Sequence, residues 1–297
     1  MTERKEHSQW KGTTGGTSLM HQWLIRSLQI LPLAFVYAGA AIFVVPFCML
    51  FHHKGYLAQY HFFRRRLCFH RLKAFWNTYL NHVLFAEIII DRFYMYGGGR
   101  FHFDINNYDA YLSLAHQSEG FVIVSAHIGN YEAAGYTLTA ENKRFNALVY
   151  AGEVETIMKN RQRMFEPNNL HMIPISNDMS HLFLMSSALS NGESVSIPSD
   201  RMFGSSKHVT CSFLNANADF PLGPFALATQ REVPVLAIHV MKEGIKRYHI
   251  YIDRLHIEGT SHQHQAMSLA RQFSSSLEKV IRRYPTQWFN YYEFWND

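Results

Sequence analysis

The chain has 297 residues, of which 47% are hydrophobic, 15% aromatic and 17% charged, too apolar for a disordered chain and too long for one held together by disulfides. Its net charge of +5 is segregated: residues 1–29 carry Arg4, Lys5, Lys11 and Arg26 against Glu3 and Glu6, and residues 52–73 carry Lys54, Arg64, Arg65, Arg66, Arg71 and Lys73 with no acid. The rest of the chain holds 18 basic and 21 acidic residues, so the charge points to an anionic membrane surface and away from a nucleic-acid partner, which needs a basic face on the folded domain.

The first element in chain order is an apolar run. No Asp, Glu, Lys or Arg lies between Arg26 and Lys54, and 30–51 reads ILPLAFVYAGAAIFVVPFCMLF. As a helix rising about 1.5 Å per residue it approaches the ~30 Å of a bilayer's hydrocarbon. It is too long, and starts too far into the chain, for a cleavable signal. Trp23 and the arginine-rich stretch bracket it as interfacial anchors, and the heavier positive charge after it places the remaining chain in the cytoplasm. Pro32 and Pro46 interrupt helical hydrogen bonding, which leaves a spanning helix and a re-entrant or in-plane anchor both open. Residues 1–54 thus read as a basic-flanked membrane anchor and 55–297 as the catalytic domain.

From about residue 74, short apolar runs alternate with helical patterns, the signature of an α/β fold. The clearest buried strand is 121–126, FVIVSA, followed by strands over 147–150, 172–175, 194–198, 233–241 and 248–255. Helices are predicted over 179–190 with Asp178 as N-cap, over 225–231 with Pro224 in the first turn, and along the 3.6-spaced residues from Ala266 to Tyr284. Cys48, Cys68 and Cys211 have no paired or metal-ligand spacing, and the 18 histidines form no HExxH pair, so a reducing compartment and no metal site are expected.

The stretch that can do chemistry is Ser125-Ala-His-Ile-Gly-Asn-Tyr-Glu-Ala-Ala-Gly135, directly after the best strand. A histidine at a strand's carboxyl end lies where α/β folds gather catalysts. On one continuous helix His127 and Glu132 would sit about 140° apart, so a turn must separate them. Gly129 supplies unusual backbone angles and Asn130 an N-cap, which would let Glu132 fold back, hold one imidazole nitrogen and leave the other free as a base.

This stretch resembles the first motif of the lysophospholipid acyltransferase superfamily, in the form found in the lipid A late (lauroyl and myristoyl) acyltransferases. Asn191-Gly-Glu-Ser-Val-Ser-Ile-Pro-Ser-Asp-Arg201 resembles that branch's strand ending in an Asp-Arg pair. Phe220-Pro-Leu-Gly-Pro-Phe225, Val233-Pro-Val-Leu and Tyr284-Pro-Thr-Gln-Trp-Phe289 follow in the family's order. The resemblance implies a glycerolipid-acyltransferase-like α/β fold, a central mixed sheet flanked by helices and preceded by the membrane helix. It implies O- or N-acyl transfer from acyl carrier protein or coenzyme A thioesters to a membrane lipid at the bacterial inner membrane, with the thioester as donor substrate and no resident cofactor. Carried over, His127 is the general base and Glu132 its orienting partner. Candidate oxyanion stabilisers are the backbone N–H groups near Gly129 and Asn130 or the Arg201 guanidinium, with a salt bridge of Arg201 to Asp200 or another acid as the alternative, and Gly129, Asn130, Asp200 and Arg201 are placed at the substrate site. Of Lys159, Arg161 and Arg163, Arg163 is preferred for substrate phosphate, against a solvated helix face with Glu153, Glu155 and Glu166. Tyr131, Ala133 and the Ile197-Pro-Ser-Asp200 spelling depart from the branch's usual residues, so the acceptor ranges over lipid A, an aminolipid, another glycolipid and a polyene. A thioesterase or lipid esterase using the same dyad on water is the competing enzyme class, and a non-enzymatic membrane adaptor the third.

Overall fold

The structure, a computed structural model, describes residues 17–51, 53–138, 143–150, 155–165, 169–175, 178–202 and 207–295. Of the flanking charges, Glu3, Arg4, Lys5, Glu6 and Lys11 lie outside these residues, as do Glu153 and Glu166. The apolar N-terminus divides at its first proline. Helix α1 (Ser18–Ile30), capped by the Thr17 hydroxyl accepting from the Met20 N–H, ends where Leu31 turns extended, and α2 (Leu33–Gly39) starts after Pro32. A π-helical turn over Ala40–Val44 leads into α3 (Val45–Phe51). Pro46 lacks an N–H and would crowd the carbonyl four residues back, and the widened turn just before it relieves that conflict. The apolar span is therefore Leu33–Phe51, 19 residues of mean hydropathy 2.3, not a helix continuous from Ile30.

The span does not stand apart from the domain. After α4 (His53–His61) and a second π-helical turn (Phe62–Arg66) comes α5 (Arg71–Tyr96), 26 residues long and unannounced by the sequence pattern. Leu28, Leu33, Tyr37 and Ala40 pack with Ile90 and Phe93 of α5 in a small core of their own. The Tyr79 hydroxyl donates to the Ala41 carbonyl at 2.9 Å.

The catalytic-sized part is a seven-stranded mixed sheet in the order β1-β9-β8-β2-β5-β3-β4. In chain order the elements are β1 (His102–Asn106), α6 (Tyr108–Ala115), β2 (Phe121–Ser125), α7 (Ala133–Thr137), β3 (Phe145–Tyr150), α8 (Glu155–Phe165), β4 (Leu170–Ile175), α9 (Ser180–Ser190) and β5 (Ser194–Pro198). Then follow the hairpin β6 (His208–Phe213) and β7 (Ala216–Pro221), α10 (Gly223–Gln230), β8 (Val235–Gly244), β9 (Arg247–Leu255) and α11 (His262–Arg283). The β8–β9 pair is antiparallel and every other neighbour in the large sheet is parallel. All six expected strands are present within a few residues, and Asp178 does accept from the Ser180 N–H at 3.0 Å at the start of α9. Strand β1 and the β6–β7 hairpin were not anticipated: β1 is a half-buried edge strand, and the hairpin lies outside the main sheet. Two apolar cores cover the sheet, one including the hairpin, α9, α10 and α11, the other including α5, α6 and α7.

Candidate active site

Strands β2 and β5 are adjacent and parallel, with Ser125 opposite Pro198, and the Ser199 N–H prolongs the ladder by donating to the Ser125 carbonyl at 2.7 Å. Two residues past each strand end stand His127 and Asp200. The His127 Nδ1 lies 2.7 Å from Asp200 Oδ1, and the His127 backbone N–H donates to Oδ2 at 3.0 Å. The Trp288 indole N–H adds a longer contact to Oδ2, 3.4 Å. The Asp200 side chain is 1% exposed and that of His127 21%. Burial pushes the Asp200 carboxyl up, but the imidazole, its N–H bonds and the Arg201 guanidinium outweigh it and hold the group at about 2. Burial, helped by Arg201 and opposed by Asp200, pushes His127 below its ordinary range. A neutral imidazole beside an ionised carboxylate carries its proton on Nδ1, which leaves the Nε2 lone pair free to act as a base.

Of the turn expected after His127, the unusual backbone angles at Gly129 are present, but the Asn130 side-chain cap and the return of Glu132 to the imidazole are not. Gly129 has φ +53°, and a Cβ there would stand 2.0 Å from the Val240 carbonyl oxygen. Its N–H donates to the Gln287 carbonyl and that of Asn130 to Val240, both at 2.8 Å, while the Phe289 N–H donates back to the His127 carbonyl at 2.9 Å. Both amides are consumed by the fold, so Gly129 and Asn130 are not the oxyanion donors that the sequence suggested. The Asn130 carbonyl, rather than its side chain, receives the first N–H of α7, and the side-chain amide reaches the Tyr248 hydroxyl at 3.3 Å.

Glu132 does not orient His127, because two arginines and two tyrosines hold it. Arg161 donates to both of its oxygens, at 3.0 and 2.9 Å, Arg92 Nε lies 2.9 Å from Oε2, and the Tyr136 and Tyr96 hydroxyls donate to Oε1 at 2.8 and 3.2 Å. These cations outweigh burial and hold the carboxyl far below the usual range. Of the three basic residues on α8, the one built into the site is therefore Arg161, buried, while Arg163 is exposed on the last turn. Arg201 donates to the Phe289 carbonyl at 2.7 Å and faces the Tyr292 ring at 5.7 Å. The terminal aromatics are mostly core: Trp288 is fully buried and packs against Phe62, Phe213, Phe294 and Trp295.

The sequence reading puts Asp200 at the substrate site or in a salt bridge with Arg201, whereas the structure sets it against the His127 ring; Arg92, Tyr96 and Tyr136, which surround Glu132, carry no motif of their own. One signal was available for Asp200: it follows its strand by the same two residues as His127 follows β2. Outside the site, Asp104, Glu243 and His249 bring ligand atoms within 4.8 Å of one another, but Asp104 is already engaged by Arg247 at 2.7 Å.

A carboxylate-held imidazole at the carboxyl ends of two parallel strands of an α/β sheet is an arrangement chemically able to accept a proton from a bound nucleophile. The model of the bacterial lipid A biosynthesis acyltransferase family matches residues 100–296, and the chain belongs to that family. Among solved structures, the 1-acyl-sn-glycerophosphate (LPA) acyltransferase PlsC of Thermotoga maritima is similar at 11% identity and a TM-score of 0.39, over 91% of this chain and 98% of that one. No curated protein matches the chain.

Proposed function

We propose that the protein transfers a fatty acyl chain from an acyl thioester, on acyl carrier protein or coenzyme A, to a hydroxyl or amine of a membrane lipid. The observation that carries this reading is the 2.7 Å contact between His127 Nδ1 and Asp200 at the ends of β2 and β5, in a chain of an acyltransferase family. His127 Nε2 takes the proton of the acceptor O–H or N–H as its heteroatom attacks the thioester carbonyl carbon. Arg201, close enough to depress the imidazole, stabilises the oxyanion that forms. Collapse breaks the C–S bond, and the imidazolium returns its proton to the leaving sulfur, giving an ester or amide and a free thiol. Glu132 organises the arginines beside the catalytic loop and does not touch the reacting atoms, and Arg163, exposed on α8, is offered to phosphate on donor or acceptor.

The Leu33–Phe51 span supports membrane association. Phe35, Phe43, Phe47, Leu50 and Phe51 are all exposed along it, more apolar surface than water tolerates on one helix. With Arg64, Arg65, Arg66, Arg71 and Lys73 following, the reading is an inner-membrane protein with its catalytic part on the cytoplasmic face. In anionic vesicles with acyl thioester and lipid acceptor, His127→Ala is expected to abolish transfer while the protein remains folded. Undiminished transfer by that variant, or release of free fatty acid alone by the wild type, overturns the proposal.

A further inference from the structure

Beneath the catalytic loop lies a second buried polar cluster that the chemistry above does not use. Asp91 on α5 is fully buried and accepts from three directions: the Lys242 ammonium at the end of β8 at 2.6 Å, the Tyr248 hydroxyl of β9, and the Tyr37 hydroxyl of α2. The ammonium also reaches Tyr37 Oη at 3.0 Å and lies 3.8 Å from Glu87, one turn earlier on α5. Two connections lead from this cluster to the loop. Tyr248 accepts from the Asn130 side-chain amide at 3.3 Å. The Lys242 backbone exchanges two hydrogen bonds with the Gln287 amide, at 2.9 and 2.8 Å, and the Gln287 carbonyl accepts the Gly129 N–H. Residues of the apolar span, of α5 and of two strands thus converge on one carboxylate, and the chain of bonds ends on Gly129 and Asn130, the adjacent residues of the turn that follows His127.

We propose that Tyr37, Asp91, Lys242 and Tyr248 are positioning residues for the His127 loop, so that the apolar span is a working part of the catalytic unit as well as a tether. The inference rests on the general-base reading of His127. A buried ion pair that is fully hydrogen-bonded contributes little net stability against apolar replacements but fixes geometry strictly. Displacing a base by a fraction of an ångström costs rate rather than affinity. The proposal therefore predicts a loss of kcat at constant KM.

The test uses the full-length chain in detergent or vesicles and three substitutions that each remove one hydroxyl and keep the ring. Tyr248→Phe cuts the connection to Asn130, and Tyr37→Phe cuts the connection to the span. Tyr79→Phe removes the other hydroxyl between span and α5, which donates to Ala41 outside the cluster, and serves as the control. Each variant is read by kcat and KM for acyl transfer, by melting temperature, and by the rate at which diethylpyrocarbonate modifies His127, followed by peptide mass spectrometry. Tyr248→Phe is expected to lose about tenfold in kcat and Tyr37→Phe about threefold with KM held within about twofold, the scale of a small misplacement. His127 is modified faster in both. Tyr79→Phe keeps wild-type kcat and wild-type modification even where its melting temperature drops as far. Wild-type kcat and modification in Tyr248→Phe overturn the proposal, and so does a kcat loss in Tyr79→Phe equal to that in Tyr37→Phe. If the wild-type chain transfers no acyl group, the functional reading fails by itself and the modification rates alone decide whether the cluster positions His127.

Discussion

Asp200 grips His127 at two points, ring and backbone, so one carboxylate sets both the tautomer and the direction of the imidazole. Asp200→Asn is expected to lower kcat by up to about 10⁴-fold, the scale on which an orienting carboxylate acts in hydrolytic triads. The pH dependence carries a sign. The base works neutral, so kcat/KM falls on the acid side as His127 protonates, at a pH below the ordinary 6.5 because burial and Arg201 disfavour its charge. Asp200 favours that charge, so Asp200→Asn moves the acid limb to lower pH, whereas Arg201→Met moves it to higher pH. Limbs that stay in place in both variants would remove His127 from the role of base. His127 and the glycine turn were legible in the sequence because strand, histidine and turn are contiguous. The partner was not: Glu132 is five residues away in sequence, while Asp200, 73 residues distant, arrives only because β5 lies beside β2.

The catalytic turn is wedged between β8 and the terminal segment, and Gly129 is where the wedge is tightest. Gly129→Ala sets a Cβ against the Val240 carbonyl and demands a left-handed conformation of a residue that resists it. It is expected to cost both activity and melting temperature, with hydrogen exchange rising at the 127–131 amides. Unchanged melting and activity would show that the turn yields. Helices α5, α7 and α8 meet at Glu132, whose side chain is 7% exposed beside Arg92 and Arg161 at 12% and 10%. Glu132→Gln strips the counter-charge from two buried guanidinium groups and is expected to destabilise by about 3–5 kcal/mol. Its loss of activity should follow its unfolding curve, unlike that of His127→Ala. A Glu132→Gln chain that melts like wild type yet transfers nothing would return Glu132 to the chemistry. The strands were readable from their apolar runs, but α5 was not. Its apolar residues serve the span on one side and the sheet on the other, which blurs the one-sided spacing that marks a surface helix.

Over the whole molecule, the division of charge and apolar surface was the most legible feature, and the least legible was that the apolar span shares a core with the domain. The site also couples stability to pH. Asp200, held at about 2 against an ordinary 3.8, and Glu132, also depressed, contribute stability that is complete above their unfolded values and is lost as the pH falls toward the folded ones. The depressed His127 acts in the same direction at higher pH, while Asp91 and Glu87, pushed up by burial, act in the opposite one. The clean quantity is a difference: between pH 5 and pH 2.5 the melting temperature of Asp200→Asn should fall less steeply than that of the wild type. Parallel curves would mean that Asp200 is not held ionised by its neighbours.

The most direct test is mass spectrometry of the acceptor lipid after incubation of the full-length protein with acyl carrier protein thioester in anionic vesicles. The account predicts an acceptor heavier by one acyl residue, formed with one equivalent of free thiol, absent with His127→Ala and strongly reduced with Asp200→Asn. Acylated acceptor appearing at the wild-type rate in either variant would contradict it.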